Sequence, residues 1–507
     1  MSKCLSANQK HDKGWCSSIM IVLQTDVKNQ EPVSRQVRRA IERNMSKKLK
    51  QMQKKVQQTA PQVTFDNHTV TQFGLFGFLE AFKHMIGWQD IVKKHLQVNR
   101  RHNAKYLASD LLETLVDSAC LGLFRFSHMD ALQRDSSYQQ CKDIRKVADE
   151  STLRYFLRQM SPETINQLAV MNQEILAHKF RVEKPREVWL DFDDSVITVF
   201  GEQEKSAVGY NPRYHGRRSF KVKVGFISGT GELVYLKLYD GATASNGEFL
   251  DFLKDTLAKL DPKQITVKGI RVDRGFFDEK LFAYLESEHI EYICKAKMTA
   301  NVRKIANYLE ETEQFESVSS CYAAADIHVP LPTWEKARRF VCIRETLEPK
   351  DKNGSQLCLD LPVYEYQAIV TSLDELTAEE IWHEYNQRAN IENKIDELKV
   401  GLGMDQMSQH EFDRNQAFLW IKGLAYNLLN WFRLALLEDN ACRYEVPTLR
   451  RMILNVPGNV VGHDRYRHIK LAPNEPLMKL VAIMRRKPDE FLITVTSLLI
   501  PLEKVAV

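Results

Sequence analysis

The sequence predicts an α/β fold, with a mixed sheet covered by helices on both faces and an all-helical region ahead of it. Residues 60–185 show helical periodicity and helix start signals, whereas from Glu187 onward short β-rich segments are separated by turns. From residue 249 onward, helical and extended segments alternate along the chain. Such alternation is typical of strands that form a sheet with helices packed on it.

The helical region follows a polar segment. Residues 1–32 are polar and without periodicity, and we expect them to be poorly ordered. A first helix is expected over residues 33–58, where apolar residues recur at three- and four-residue steps among lysines and arginines. Further helices are expected at residues 75–85, 108–121, 151–160 and 161–178, with Ser151 as the N-cap of the helix at 151–160.

The sheet is expected to begin with a meander of three strands. They are predicted at residues 188–200, 219–228 and 232–241, with a Gly-Thr-Gly turn between the last two. A helix at 249–260, a strand at 264–273, a helix at 277–287 and a strand at 290–296 follow. This order matches an RNase H-like fold. A flavodoxin-like fold would need helices between the first strands, where the chain has no room for them.

The alternation is interrupted after residue 297. Residues 298–360 are interpreted as a β-rich insertion, with a helix at 301–310 and short strands at 318–328 and 339–344. The sheet's last strand is expected at 363–373, and a long apolar helix at 414–437.

Charge is spread unevenly along the 507 residues. The net charge is only +5, but residues 1–60 hold thirteen Lys/Arg against four Asp/Glu. A basic arm suggests a polyanionic partner, and a solubilising tail is the alternative. The nine cysteines include no C-x-x-C pair, which argues against a disulfide framework and against a structural zinc site. No apolar run approaches a membrane span, so we expect an intracellular protein without a membrane partner.

The most informative stretch is residues 381–400, which we predict to form one helix because good helix formers fill most positions and Pro and Gly are absent. At about 100° per residue, Tyr385, Arg388, Glu392 and Lys399 fall within roughly 60° of arc. One face therefore carries an aromatic hydroxyl, two cations and a carboxylate. An ordinary solvated face is the alternative interpretation.

The spacing Tyr385-x2-Arg388-x3-Glu392-x6-Lys399 resembles the Y-R-E-K signature of insertion-sequence transposases, in the insertion-sequence-four superfamily of DDE enzymes. The runs LLETLVDSACLGLFRF and STLRYFLRQM are similar to the amino-terminal helical region of the thirteen-eighty branch of these transposases. The resemblance covers about residues 100–440.

This resemblance implies three catalytic carboxylates. Glu392 would be the third, and IRVDRGF resembles the family's R-x-D-x-G-F, which makes Asp273 the second. The segment Asp193-Asp194-Ser195 resembles D-x-[S/T], which makes Asp193 the first, with Asp191 as the alternative. We therefore predict that Asp193, Asp273 and Glu392 are both catalytic and metal-binding. They would hold two Mg²⁺ (or Mn²⁺) ions that clamp the attacking and leaving oxygens of a phosphodiester.

The same resemblance implies a DNA transposase that binds the terminal inverted repeats of a mobile element and target DNA as a homodimer. It would cleave and transfer strands by a cut-and-paste route, in the bacterial cytoplasm and associated with the nucleoid. The predicted DNA-binding residues are Tyr385, Arg388, Lys399, Trp334, Arg213 and Arg217. Trp334 would stack on a flipped base, or else belong to the core. The rival interpretations are an RNase H-fold nuclease without strand transfer and an inactive DNA-binding relic.

The expected organisation has six parts. They are a basic, partly disordered arm at 1–60, a helical DNA-binding region at 61–185, the first part of an RNase H-like core at 186–297, the β-rich insertion at 298–360, the second part of the core at 361–438, and a basic C-terminal region at 439–507.

Overall fold

The computed structural model describes residues 35–59, 69–183, 186–347, 363–463 and 466–499. The chain divides into two compact units, Met1–Asn67 and His68–Val507. The described part of the first unit is the helix α1, Arg35–Thr59, close to the predicted bounds. The expected disorder of residues 1–32 lies outside the described residues.

The second unit opens with a strand. This strand, β1 (Thr69–Thr71), pairs with a strand near the carboxyl end of the chain, so the prediction of a purely helical region is wrong here. The helices that follow are α2 (Phe76–Met85), α3 (Trp88–His95), α4 (Ala108–Leu121), α5 (Asp130–Arg134), α6 (Ser136–Cys141), α7 (Glu150–Arg158) and α8 (Pro162–Val182). Ser161 is the N-cap of α8, and its side chain accepts from the Thr164 amide. Helix α7 is capped by Asp149, whose Oδ1 accepts from the Thr152 amide at 2.7 Å, and not by Ser151.

The central sheet is mixed. Its strands are β2 (Arg186–Thr198), β3 (Ala207–Val208), β4 (Arg218–Ile227), β5 (Leu233–Asp240), β6 (Ile265–Val272), β7 (Glu291–Lys295), β8 (Glu316–Ser317), β9 (Tyr322–Val329), β10 (Arg338–Leu347) and β11 (Val363–Thr371). The order is β3-β4-β2-β6-β7-β11-β10-β9-β8, and β5 also pairs with β4. Only the pairs β2–β6 and β6–β7 are parallel among the described strands. Strands β2 and β6 thus lie side by side near the middle of the sheet.

The segment interpreted as an insertion contributes to this same sheet. Strand β10 pairs with β11 along its whole length and with β9 on its other side. The described strands of residues 298–347 therefore extend the central sheet and do not form a sheet of their own. Residues 348–362 lie outside the described ranges.

Helices cover both faces of the sheet, and one of the two 25-residue helices among them is buried. They are α9 (Phe249–Leu257), α10 (Glu279–Ser287), α11 (Ala300–Glu311), α12 (Ala378–Asn386), α13 (Ala389–Asp396), α14 (Phe412–Leu436), α15 (Val446–Leu449) and α16 (Glu475–Leu499). Helix α14 is buried along most of its length, and it packs against α8, α4 and β5. It joins the helical region to one face of the sheet, while α9, α10 and α11 pack on the other face.

The carboxyl-terminal region closes back on the start of the second unit. The strands β12 (Gly458–His463) and β13 (Tyr466–Lys470) form a hairpin, and β1 is the third strand of this small sheet. None of the helices in the described ranges is long and apolar enough to cross a membrane.

The helix predicted at 381–400 is broken. Helix α12 ends at Asn386, α13 begins at Ala389, and residues Glu397–Gly401 form a π-helical turn. At the break the Arg388 amide donates to the Tyr385 carbonyl at 3.0 Å, which is the tighter three-residue spacing. The prediction of one continuous helix is therefore wrong. Helix propensity depends on local sequence only, so it does not take account of the tertiary contacts that the side chains at the break make.

Candidate active site

Two aspartates lie side by side at the centre of the sheet. Asp191 is opposite Arg271 in the parallel pairing of β2 with β6, so Asp193 and Asp273, each two residues further on, come next to each other. Asp191 and Asp193 share one face of β2 because side chains alternate along a strand. Asp273 directly follows β6, where the extended strand passes into a short 3₁₀ turn.

The Asp193 carboxylate is held by an arginine from the break between α12 and α13. Arg388 places Nη2 3.1 Å from Asp193 Oδ2 and also donates to the Phe192 carbonyl at 3.1 Å. Burial raises the pKa of Asp193 to about 6; Arg388 lowers it, and Asp194 and Asp273 raise it further. Burial is thus the main reason why this carboxyl group holds its proton more readily than a free one.

The Asp273 carboxylate is held by a residue of the same segment, at the end of α12. The Tyr385 hydroxyl donates to Asp273 Oδ1 at 3.3 Å. Burial raises the pKa of Tyr385, and the negative charge of Asp273 adds to the rise although Arg388 opposes it, so the phenol keeps its proton and acts as a donor. One turn of chain, from Tyr385 to Arg388, therefore contacts both aspartates.

The neighbouring Asp191 has a different partner. Its carboxylate oxygens accept from Arg271 Nε at 2.7 Å and Nη2 at 3.1 Å, and both side chains are buried. Arg271 also donates to the Glu384 carbonyl at 3.0 Å and to the Ser228 hydroxyl. Arg271, on β6, therefore bonds to β2, to the turn after β4 and to the end of α12, at the residue directly before Tyr385.

Glu392 is not joined to the two aspartates by any contact among the described residues. It lies on α13, one turn after Arg388, and its side chain is exposed. Asp193, Asp273 and Glu392 do not form a group with ligand atoms within 4.8 Å of one another in the described part of the chain.

Lys399 lies in the π-helical turn and is partly buried. Burial lowers its pKa, Arg213 lowers it as well, and Asp396, Asp405 and Asp193 raise it. The charges of Arg213 and Asp193 thus both act on the Lys399 ammonium group.

Arg213 and Arg217 are exposed, in the loop between β3 and β4. The Arg217 guanidinium lies 5.9 Å from the centre of the Phe200 ring. These two arginines are available to a partner, as the sequence prediction requires.

Trp334 lies between β9 and β10 and packs among other aromatic rings. Its ring centre is 5.5 to 5.7 Å from those of Phe277, Phe282 and Phe340. The Arg338 guanidinium lies 4.9 Å from the same ring. The indole is partly buried and packs against the core, with Arg338 beside its ring.

A second acidic group lies in the helical region and was not anticipated from the sequence. Glu80, Glu113 and Asp117 bring carboxylate oxygens within 4.8 Å of one another. The Lys83 ammonium is fully buried among them, 2.8 Å from both Glu80 and Asp117, and Lys142 lies 2.8 Å from Glu80. Two ammonium groups already pair with these three carboxylates, so we interpret the group as a buried charge network. The i,i+3 spacing of Glu80 and Lys83 was its only local signal.

Paired carboxylates on adjacent central strands, each fixed by a side chain from one following helical segment, are typical of enzymes that act on phosphodiesters with divalent metal ions. The comparison with family models identifies the class further. The chain belongs to the family described as "Transposase DDE domain group 1", whose model matches residues 53–487. This protein is therefore a DDE transposase.

One solved structure with a similar course of the chain is titled "Cryo-EM structure of piggyBac transposase synaptic complex with hairpin DNA (SNHP)". It shares 15% sequence identity over 87% of this chain and 89% of the other, with a TM-score of 0.37. The comparison with curated proteins gives no match.

Proposed function

We propose that this transposase binds the terminal inverted repeats of its mobile element and catalyses metal-dependent strand cleavage and strand transfer by a cut-and-paste route. We assign it to the insertion-sequence-four superfamily through its Tyr385, Arg388, Glu392 and Lys399 spacing. The observation that carries the proposal is the adjacent placement of Asp193 and Asp273. A homodimer would hold two DNA ends in the bacterial nucleoid.

The donor set fits the two Mg²⁺ (or Mn²⁺) ions that such a reaction requires. Carboxylate oxygens are the hard ligands that these ions prefer, and we propose Asp193, Asp273 and Glu392 as the protein ligands. The raised pKa of Asp193 reflects burial first and neighbouring negative charge second, and a cation would relieve both. When bound, divalent ions lower the pKa of a water and stabilise charge on the phosphoryl oxygens.

The other residues of the site orient these ligands and bind DNA. Arg388 and Tyr385 fix the carboxylates of Asp193 and Asp273. Arg388 Nε is buried and has no hydrogen-bond partner among the described residues. Lys399 and Arg213 would bind phosphates on either side of the cleaved bond.

Asp193 is preferred over Asp191 as the first ligand. Both oxygens of Asp191 are occupied by Arg271, and its side chain is buried. A metal there would have to displace a bidentate ion pair, which is costly in a buried site.

The proposal is tested with single variants of the three acids. Asp193→Asn, Asp273→Asn and Glu392→Gln should each abolish cleavage of labelled inverted-repeat DNA in Mg²⁺ while leaving DNA binding nearly intact. Glu379→Gln is the matched control, because this glutamate is exposed in the first turn of α12 and its variant should still cut.

Each result separates the alternatives. Residual cleavage by Glu392→Gln would show that the third ligand is assigned wrongly. Cleaved ends without joined product from the parent protein would favour a nuclease. DNA binding by the parent protein without any cleavage would favour an inactive relic.

A further inference from the structure

We propose that Phe200, Tyr210 and Tyr214, together with Arg213 and Arg217, form a platform on which unpaired DNA bases stack beside the catalytic centre. We call these five residues the stacking platform. The inference rests on the proposed function, because it takes DNA as the substrate. It extends that function by naming single-stranded nucleotides as a separate ligand of the protein.

Three large aromatic rings are exposed within one short stretch of chain. The exposed fraction is 74% for Phe200, 73% for Tyr210 and 44% for Tyr214. The rings of Phe200 and Tyr214 lie edge to face with centres 5.9 Å apart. Single exposed apolar residues are ordinary, but several exposed rings in one short stretch of chain, two of them in contact, are a common mark of a binding site.

The loop that carries these rings is held in place from within. The buried Asn211 donates through Nδ2 to the Thr198 hydroxyl at 2.9 Å, and its Oδ1 accepts from the amides of Arg213 and Tyr214 at 3.2 and 3.0 Å. These two residues of the platform are thereby oriented before any ligand arrives. Pre-organisation of this kind lowers the entropic cost of binding.

A glycine contact fixes the base of the same loop. A Cβ atom added at Gly209 would lie 2.0 Å from the Gly241 carbonyl oxygen, so the chain here packs backbone to backbone against the end of β5. Tyr210 is the next residue, and its side chain is 73% exposed.

The charge of the loop matches a nucleic acid. Arg213 and Arg217 are exposed beside the rings, and the Arg217 guanidinium lies 5.9 Å from the Phe200 ring centre. Cations that track the phosphates together with aromatic rings that take the bases are the combination that binds single strands without sequence preference. Contact with a duplex backbone alone would need the cations but not the rings.

The platform lies near the catalytic centre but not on it. Asn211 is bonded to Thr198, the last residue of β2, which is five residues beyond Asp193 on the same strand, or about 16 Å. Arg213 is also one of the charges that act on Lys399, as Asp193 is. The distance corresponds to about five base steps of DNA.

The structure favours this platform over Trp334 as the place where a base stacks. Trp334 is surrounded by three phenylalanine rings and covered by Arg338, whose guanidinium is itself paired with Glu286. The indole is only partly exposed, so a base could stack fully on it only if these side chains moved. The exposed rings of the platform need no such change.

The test measures binding to two DNA probes in the presence of a chelator. One probe is a fully paired duplex, and the other is the same duplex with a short single-stranded tail that contains 2-aminopurine. The parent protein should quench 2-aminopurine fluorescence on binding, because stacking of the base on an aromatic ring quenches it. Phe200→Ala and Tyr210→Ala should each lower affinity for the tailed probe by about 5-fold to about 150-fold and leave affinity for the paired probe unchanged.

Two control variants keep the test specific. Tyr210→Phe retains the ring and should bind like the parent. Tyr308→Ala removes a tyrosine of similar exposure, 49%, from α11 and should also bind like the parent. An unchanged fluorescence signal in the parent complex, or an equal loss of affinity for both probes in Tyr210→Ala, would overturn the platform.

Failure of the platform and failure of the proposed function give different results. Cleavage by the parent without a 2-aminopurine signal would refute the platform alone. A 2-aminopurine signal that Tyr210→Ala abolishes, in a protein that does not cut DNA, would support the platform and refute the catalytic proposal. If the parent protein binds neither probe, both are wrong.

Discussion

Replacing Arg271 by methionine should weaken both the fold and DNA cleavage, although this residue is too buried to contact a substrate. Its side chain is 1% exposed and makes two bonds to Asp191, at 2.7 and 3.1 Å, and one to the Glu384 carbonyl at 3.0 Å. Methionine fills a similar volume but offers no donor. The Asp191 carboxylate would then be left buried without its partner.

The expected cost follows from that geometry. Breaking one side of a buried ion pair costs about 3–5 kcal/mol, because the remaining charge is uncompensated. Loss of the bond to the Glu384 carbonyl adds about 1 kcal/mol. Since Glu384 directly precedes Tyr385, whose hydroxyl lies 3.3 Å from Asp273, cleavage should slow even where the variant is fully folded.

A double-mutant cycle measures this coupling. Arg271→Met, Asp191→Leu and the double variant are compared by denaturant unfolding at 25 °C. The double variant should recover at least about 3 kcal/mol of the summed single losses, because it buries no unpaired charge. Arg344→Met is the matched control: its pair with Glu310, at 2.7 Å, is more exposed and should be worth less than about 1 kcal/mol.

Two results would refute the reasoning. One is a loss below about 1 kcal/mol for Arg271→Met, which would mean that Asp191 finds another partner. The other is an identical loss with and without Asp191, which would mean that the two side chains are not coupled.

Three further predictions concern other parts of the chain. Burial lowers the pKa of Lys422 to about 7, against an ordinary value of 10.5, so between these two pH values the unfolded chain holds a proton that the folded chain lacks. The free energy of unfolding should therefore rise by about 2 kcal/mol from pH 7 to pH 9. Lys422→Met should flatten this rise in unfolding measurements. Gly269→Ala would place a Cβ atom 2.5 Å from the Trp189 ring and should lower the free energy of unfolding by about 1–3 kcal/mol in thermal unfolding. Gly77→Ala should not destabilise the protein, because the added Cβ atom would lie 3.7 Å from its nearest neighbour. Deleting residues 1–58 should make DNA affinity less dependent on salt, with the slope falling by about one for each phosphate that the arm neutralises, and an unchanged slope would remove the basic arm from DNA binding.

The sequence by itself located most helices and strands within a few residues. Helix α4 spans the predicted residues, and the strands β2, β4 and β6 lie where alternation and turn residues indicated. These signals are local: apolar spacing, glycine turns and cap residues act within one element and need no knowledge of its neighbours.

The sequence proposed the residues of the candidate site, through their resemblance to known motifs, but it did not propose their partners in the fold. Asp193 and Asp273 follow from strand ends and motif spacing, and the parallel pairing of β2 with β6 places them together. The sequence indicated that Tyr385 and Arg388 face DNA, whereas in the structure they contact the two aspartates. Their roles toward DNA, like that of Glu392 toward metal, stay predictions.

Only the tertiary structure decided the break at Arg388, the pairing of Arg271 with Asp191, and the course of β9 and β10 as continuations of the central sheet. Each of these three features is, or depends on, a contact between residues that are far apart in the chain. Their energies come from burial and charge pairing, which exist only once distant segments meet. The local spacing of apolar residues gives no information on these tertiary contacts. The sequence therefore specified the helices and strands, whereas packing specified the arrangement of the site.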